Sequence, residues 1–231
     1  MTAVRRRRAS LAAAAVLGLA TLLSACGSAS EPSPPTGVDG LVIPTPSPDP
    51  DDFVERVDNR WLPLSPGTSW EYDVTGRARV VRGRFEALAG PVHDGITTTS
   101  LVRSTYDRRG RELDRVVDHV AQDEAGNVWW LGRGDVWLAE AGLMMPAEPR
   151  TGDGFLMADL DDGVVRAEVE AVGTSVVVPA GQLDDVVELD LVGVEDVESR
   201  MYLAAGVGIA RIASADGTSE WGLVDHHEPP S

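Results

Sequence analysis

The chain has 231 residues, 20 basic against 37 acidic side chains for a formal net charge of −17, 43% hydrophobic residues and one cysteine. Enough apolar material is present to fill a core, which excludes wholesale disorder, and a lone thiol excludes an intrachain disulfide scaffold. Every basic residue is arginine, in keeping with a GC-rich coding sequence, and the acidic excess repels phosphate backbones, so no nucleic-acid partner is expected.

Residues 1–25 read as an export signal. Arg5 to Arg8 precede an uncharged run of 13 residues, Leu11 to Leu23, followed by small side chains. The run falls short of the ~20 residues that span a bilayer as a permanent helix. Leu23-Ser24-Ala25-Cys26-Gly27 resembles a bacterial lipobox, in which an aliphatic and two small residues precede an obligatory cysteine. The resemblance implies that the Cys26 thiol takes a diacylglyceryl group and that cleavage leaves Cys26 as the first residue. It places the protein on the extracytoplasmic face of the cell membrane, with membrane lipid as a partner through acylated Cys26. Two or more chains hold such an anchor stably, each buried CH₂ contributing ~0.8 kcal/mol. Arg7-Arg8-Ala9-Ser10-Leu11 has a serine where the twin-arginine motif carries an aromatic residue, so the export route stays open.

Residues 26–50 are rich in Ser, Gly and Pro, and seven prolines between Pro32 and Pro50 favour an extended tether. From Gly27 to Pro50 it reaches roughly 75 Å at ~3.1 Å per residue. Leu41-Val42-Ile43 is an apolar island within it. A single domain is expected over residues 51–225, opened by a short helix at Phe53 to Val57 capped by Asp51 or Asp52. Beyond that the periodicity is two: Val81, Gly83, Phe85 and Ala87; Val165, Ala167, Val169 and Ala171; Val187, Leu189 and Leu191, each set interleaved with charge. Turns at Pro66-Gly67, Arg109-Gly110, Ala125-Gly126, Asp161-Asp162-Gly163, Pro179-Ala180-Gly181 and Asp216-Gly217 separate them. The fold class is mostly β, a single antiparallel, strongly curved sheet or partly open barrel, followed by a disordered tail at 226–231.

Five strings carry a second resemblance: Asp58-Asn59-Arg60-Trp61-Leu62-Pro63-Leu64-Ser65-Pro66-Gly67-Thr68-Ser69-Trp70-Glu71-Tyr72, Asp123-Glu124-Ala125-Gly126-Asn127-Val128-Trp129, Met145-Pro146-Ala147-Glu148-Pro149, Val178-Pro179-Ala180-Gly181 and Tyr202-Leu203-Ala204-Ala205-Gly206. In order and spacing they are similar to a family of uncharacterised actinobacterial lipoproteins. Ala205 stands where relatives carry proline, Arg133 where they carry an acid, and the insert before Met145 is shorter. The resemblance implies envelope location and β architecture and brings no activity with it. Within these strings, Trp70 and Tyr72 fall on one strand face as core anchors.

Candidate chemistry is sparse. His226-His227-Glu228 beside Asp225 has metal-ligand residue types, but successive extended residues point apart, and no metal or cofactor is expected. Asp159 to Gly163 with Glu170 imitates a calcium loop whose glycine falls at position 5 instead of 6, so an acidic hairpin turn is the preferred reading. Asp118-His119 with a serine could form a triad, yet no Gly-x-Ser-x-Gly elbow, Walker loop or dinucleotide fingerprint occurs, and no enzyme is expected. Of the adjacent Trp129 and Trp130, alternation puts one in the core and one toward solvent or a concave cavity. Trp130 and Trp137 with Met144 and Met145 are the candidate lining of an apolar groove. Two functions follow: a non-catalytic binding or interaction module for an envelope protein or polymer, or a carrier or sensor of apolar ligands on a concave sheet.

Overall fold

The computed structural model describes residues 48–160, 163–193 and 198–229. The export signal, Cys26 and the island Leu41-Val42-Ile43 lie outside the described residues, as do Asp161 and Asp162 of the candidate calcium loop. Among the described residues, thirteen strands make one antiparallel sheet. They are β1 (Phe53–Val54), β2 (Ser69–Thr75), β3 (Arg82–His93), β4 (Ile96–Tyr106), β5 (Glu112–Asp123), β6 (Val128–Arg133), β7 (Val136–Met145), β8 (Gly154–Leu160), β9 (Gly163–Val178), β10 (Gly181–Val192), β11 (Glu198–Ala204), β12 (Gly208–Ser214) and β13 (Glu220–His227).

The strand order is β7-β6-β5-β4-β3-β2-β13-β12-β11-β10-β9-β8, a meander whose two ends come round to meet. The result is a nearly closed barrel with a seam between β7 and β8. Alternation explains the inside: Gly83, Phe85 and Ala87 are buried, as are Ala167 and Val169 between the exposed Arg166, Glu168 and Glu170. Paired residues across a ladder share a face, so Trp70 beside Phe85 and Leu189 beside Val169 extend one continuous apolar interior.

The expected helix at Phe53 to Val57 does not form. Pro50–Asp52 make a single 3-10 turn, and Phe53 and Val54 pair as β1 with Asp123 and Gln122 of β5. The vacancy that β1 fills arises because β4 pairs with β5 only from Thr99 onward. Beyond that point the tip of the β3–β4 hairpin departs at the irregularity between Ala89 and Val92 and turns at Asp94-Gly95. Both turn residues have positive φ, 48° and 86°, the two-residue geometry that matches strand twist.

Residues 55–68 close one end of the barrel. Val57, Trp61, Leu62 and Leu64 are all buried in the main core, each contributing about 1.5 to 3 kcal/mol. Asn59 folds this segment on itself and ties it to two distant turns, while Gly206 N–H donates to the Arg60 carbonyl. From the opposite wall the β9–β10 hairpin bends over the same end at Gly173 and Asp185, both at positive φ. Val176 and Val178 thereby enter the core, and Ala180 N–H donates to the Leu223 carbonyl at 2.9 Å.

The tail expected to be disordered from residue 226 instead continues β13 through His227, paired with Ser69. The physical reason is Trp70, whose indole stacks on His226 at 5.5 Å and 19°. Burial holds the His226 imidazole below its ordinary value of 6.5, against upward pulls from Glu228 and Asp225, and its Nε2 is buried without a hydrogen-bond partner among the described residues. The unfolded chain therefore takes the proton first: stability should fall as pH drops below about 6.5, and level off once the folded form also protonates. Denaturant midpoints between pH 5 and 8 should show this slope in the parent chain and a flatter one in His226→Phe.

Candidate functional site

Across the outer face of β4 to β7, the register sets Ser100 beside His119, His119 beside Gly132, and Gly132 beside Trp137. Glycine in the third position lets the Trp137 indole lie over toward His119, with ring centroids 4.8 Å apart. The bent β3–β4 tip then lays His93 on Trp137 at 3.8 Å, almost parallel at 3°. The indole is thus sandwiched between two imidazoles, with Ile96, Ala121 and Leu131 as a small apolar cluster beside it.

Ser100 Oγ lies 3.1 Å from His119 Nδ1, and His119 Nε2 lies 3.0 Å from the Gly134 carbonyl. A carbonyl only accepts, so Nε2 carries the ring proton and Nδ1 accepts from the serine hydroxyl. A serine does therefore meet a histidine, but the far ring nitrogen faces the Gly134 carbonyl, and no carboxylate among the described residues is hydrogen-bonded to it. Asp118 points to the opposite face of β5, where its Oδ1 accepts from Arg133 Nε at 2.7 Å. Ser100 and His119 are only 7% and 6% exposed, beneath the folded hairpin tip. The pair is built as an internal lock between β4, β5 and the β6–β7 turn; a neutral carbonyl offers an imidazolium no counter-charge.

The four candidate groove residues do not share a surface. Trp130 and Met145 are buried in the main core, 5% and 0% exposed. Trp137 lies in the outer sandwich, and Met144 is half-buried one residue from Met145 on the alternate side of β7. Alternation puts only one of Trp129 and Trp130 in the core, but Trp129 is buried as well as Trp130. Its Nε1 donates to Asp123 Oδ2 at 2.8 Å, while Trp130 Nε1 donates to the Gly132 carbonyl at 2.7 Å. Each indole has its polar edge satisfied, which is what allows both to be buried.

A cleft of about 430 Å³ lies at the plugged end, lined by Val54, Glu55, Arg56, Asp58, Gln122, Asp123 and Glu124. None of the four groove candidates borders it, and its walls are charged. Two of its carboxylates are engaged structurally: Asp58 accepts from Gln122 Nε2, and Asp123 accepts from Asn127 and Trp129.

The opposite end, where β2 turns to β3, β4 to β5 and β6 to β7, carries the groups that sequence reasoning missed. Arg133 stacks over Trp130 at 4.7 Å, and the side chain of Arg103, half-buried on the inner face beside Phe85, has no hydrogen bond or ion pair among the described residues. Burial pushes the Arg103 guanidinium below its ordinary value; Asp118 and Asp114 pull it up, and Arg133 and Arg77 push it down. Only the period-two reading of β4 could have flagged it, as a charge on the face shared by Leu101.

Two solved structures are similar in fold. A protein from Bacteroides fragilis assigned as exported, with a YmcC-like fold, aligns at a TM-score of 0.45 and 12% identity over 74% of this chain and 100% of that one. A protein assigned as a lipoprotein, from Parabacteroides distasonis, aligns at 0.44 and 10% identity over 73% and 99%. No family model and no curated protein matches the chain.

Proposed function

We propose that this chain is a lipid-anchored extracytoplasmic protein whose barrel is a non-catalytic binding or interaction module. The observation that carries the reading is the junction Leu23-Ser24-Ala25-Cys26-Gly27, placed directly behind a basic cluster and a 13-residue uncharged run. Support for a non-catalytic role comes from the Ser100–His119 pair, which is buried and lacks a carboxylate on the far ring nitrogen. The carrier alternative loses its proposed lining, because Trp130 and Met145 are packing residues of the core.

The test is metabolic labelling with an alkyne fatty acid, followed by fractionation. The parent chain should carry the label and sediment with membranes, and Cys26→Ser should lose the label and move to the soluble fraction. An unlabelled parent chain recovered from cytosol with its first 25 residues intact would overturn the reading.

A further inference from the structure

Charge is distributed unevenly over the barrel. The segments 73–82, 103–118 and 133–135, which are the three turns at the unplugged end of β2 to β7 together with the strand residues that flank them, hold nine arginines against six acids, a net charge of +3. The remainder of residues 51–231 holds seven arginines against 28 acids. Among the described residues, only Arg111 with Asp107 and Arg133 with Asp118 are ion-paired in this group of nine. Arginines left without a carboxylate on so acidic a chain are not there to balance their surroundings. Arg77, Arg79, Arg108 and Arg109 are exposed on the turns, and Arg103 sits lower, half-buried on the inner face.

We infer that this arginine-rich rim is a binding surface for a flexible polyanion of the cell envelope, with Arg103 as its recessed contact and Arg133, exposed and shared with Asp118, beside it. The planar guanidinium fork matches phosphate and carboxylate oxygens bidentately, which an ammonium does not. The acidic remainder does not veto the contact, because at physiological salt the screening length is about 8 Å, short against the width of the barrel. A flat bilayer fits less well than a chain. Arg103 lies below the level of the turns, where a flexible chain can follow it and a planar surface cannot. The inference deepens the binding-module reading and rests on it for the compartment; the contact itself does not depend on Cys26.

The experiment measures binding of the detergent-solubilised full chain to polyphosphate by fluorescence anisotropy, with phosphatidylglycerol vesicles as the second probe. For four phosphate contacts to a flexible strand, affinity should fall roughly fiftyfold between 50 and 200 mM salt. Arg103→Gln with Arg133→Gln should bind more weakly and cut that salt loss to roughly sevenfold, the value for two contacts. Arg79→Glu with Arg108→Glu, both on exposed turns, should also weaken binding, so the result does not hang on one variant's folding. Arg166→Glu, on the exposed side of β9, should leave binding unchanged. Equal binding by parent and rim variants, no binding to polyphosphate at 50 mM salt, or binding to vesicles alone would each overturn the inference. None of these outcomes alters the fatty-acid labelling at Cys26, so the two readings fail separately.

Discussion

Asn59→Ala should destabilise the domain by about 3 kcal/mol, lowering its melting temperature by roughly 6 to 12 °C for a domain of this size. The side chain is 4% exposed and uses both ends. Its Oδ1 accepts from the backbone N–H groups of Trp61 and Leu62 at 2.8 and 3.0 Å. Its Nδ2 donates to the carbonyls of Gly126 and Pro146 at 2.8 and 3.2 Å. Alanine strands a buried N–H at Trp61 and removes a donor from two turns, each loss costing about 1 to 3 kcal/mol where water cannot replace it. Trp61 and Leu62 then lose the turn that aims them into the barrel.

The aspartate variant separates the two roles. Asn59→Asp keeps the acceptor for Trp61 and Leu62 but sets a carboxylate against two carbonyl oxygens. Burial and that repulsion raise its pKa, so the variant should be destabilised at pH 7 and recover part of the loss toward pH 5 as it protonates. An Asn59→Asp variant as stable as the parent at pH 7 would show that the donor side contributes nothing. Tryptophan fluorescence during denaturant titration reports both, since Trp61 is itself part of the plug.

What the sequence discloses here is local. Period two reveals the strands and their inner faces because each residue's side is fixed by its neighbours, and Trp70 and Tyr72 are core anchors, as expected, at 2% and 1% exposure. The failures share one cause, pairing between residues far apart. Phe53 to Val57 has helical spacing and acidic caps, but β4's departure from β5 leaves an open ladder edge that Phe53 and Val54 complete. Trp129 is buried because Asp123, six residues earlier, returns across the hairpin turn to take its N–H. His226 is ordered by an indole 156 positions away in the chain. Asn59 is visible in the sequence only as one letter of a string, since its acceptors at Gly126 and Pro146 belong to separate turns. The candidate site was legible in kind but not in place: alternation alone sends Asp118 and His119 to opposite faces, while which of the serines meets His119 is decided by the register, which sets Ser100 beside it.

The second large effect is expected at the seam. β7 and β8 are the terminal strands of the sheet order, and they meet without a continuous ladder. The two backbones approach closely at Gly142, where a Cβ would lie 1.7 Å from the Met157 carbonyl oxygen and 2.3 Å from its carbon. Backbone faces backbone, so no rotamer change relieves the overlap, and Gly142→Val can be accommodated only by moving the strands apart. Overpacking of this kind costs about 1 to 3 kcal/mol and occasionally more; here the larger figure is expected because the displacement also unseats Leu143 and Met157 from the core. Opening the seam frees two strand edges, and unpaired edges recruit other chains. Gly142→Val should therefore elute partly as oligomers in size-exclusion chromatography. Its hydrogen-exchange protection should fall in 136–145 and 154–160 while β12 and β13, on the far side of the barrel, keep theirs. Uniform loss of protection across all strands would mean that the seam is no weaker than the rest of the sheet and that the barrel unfolds as one unit.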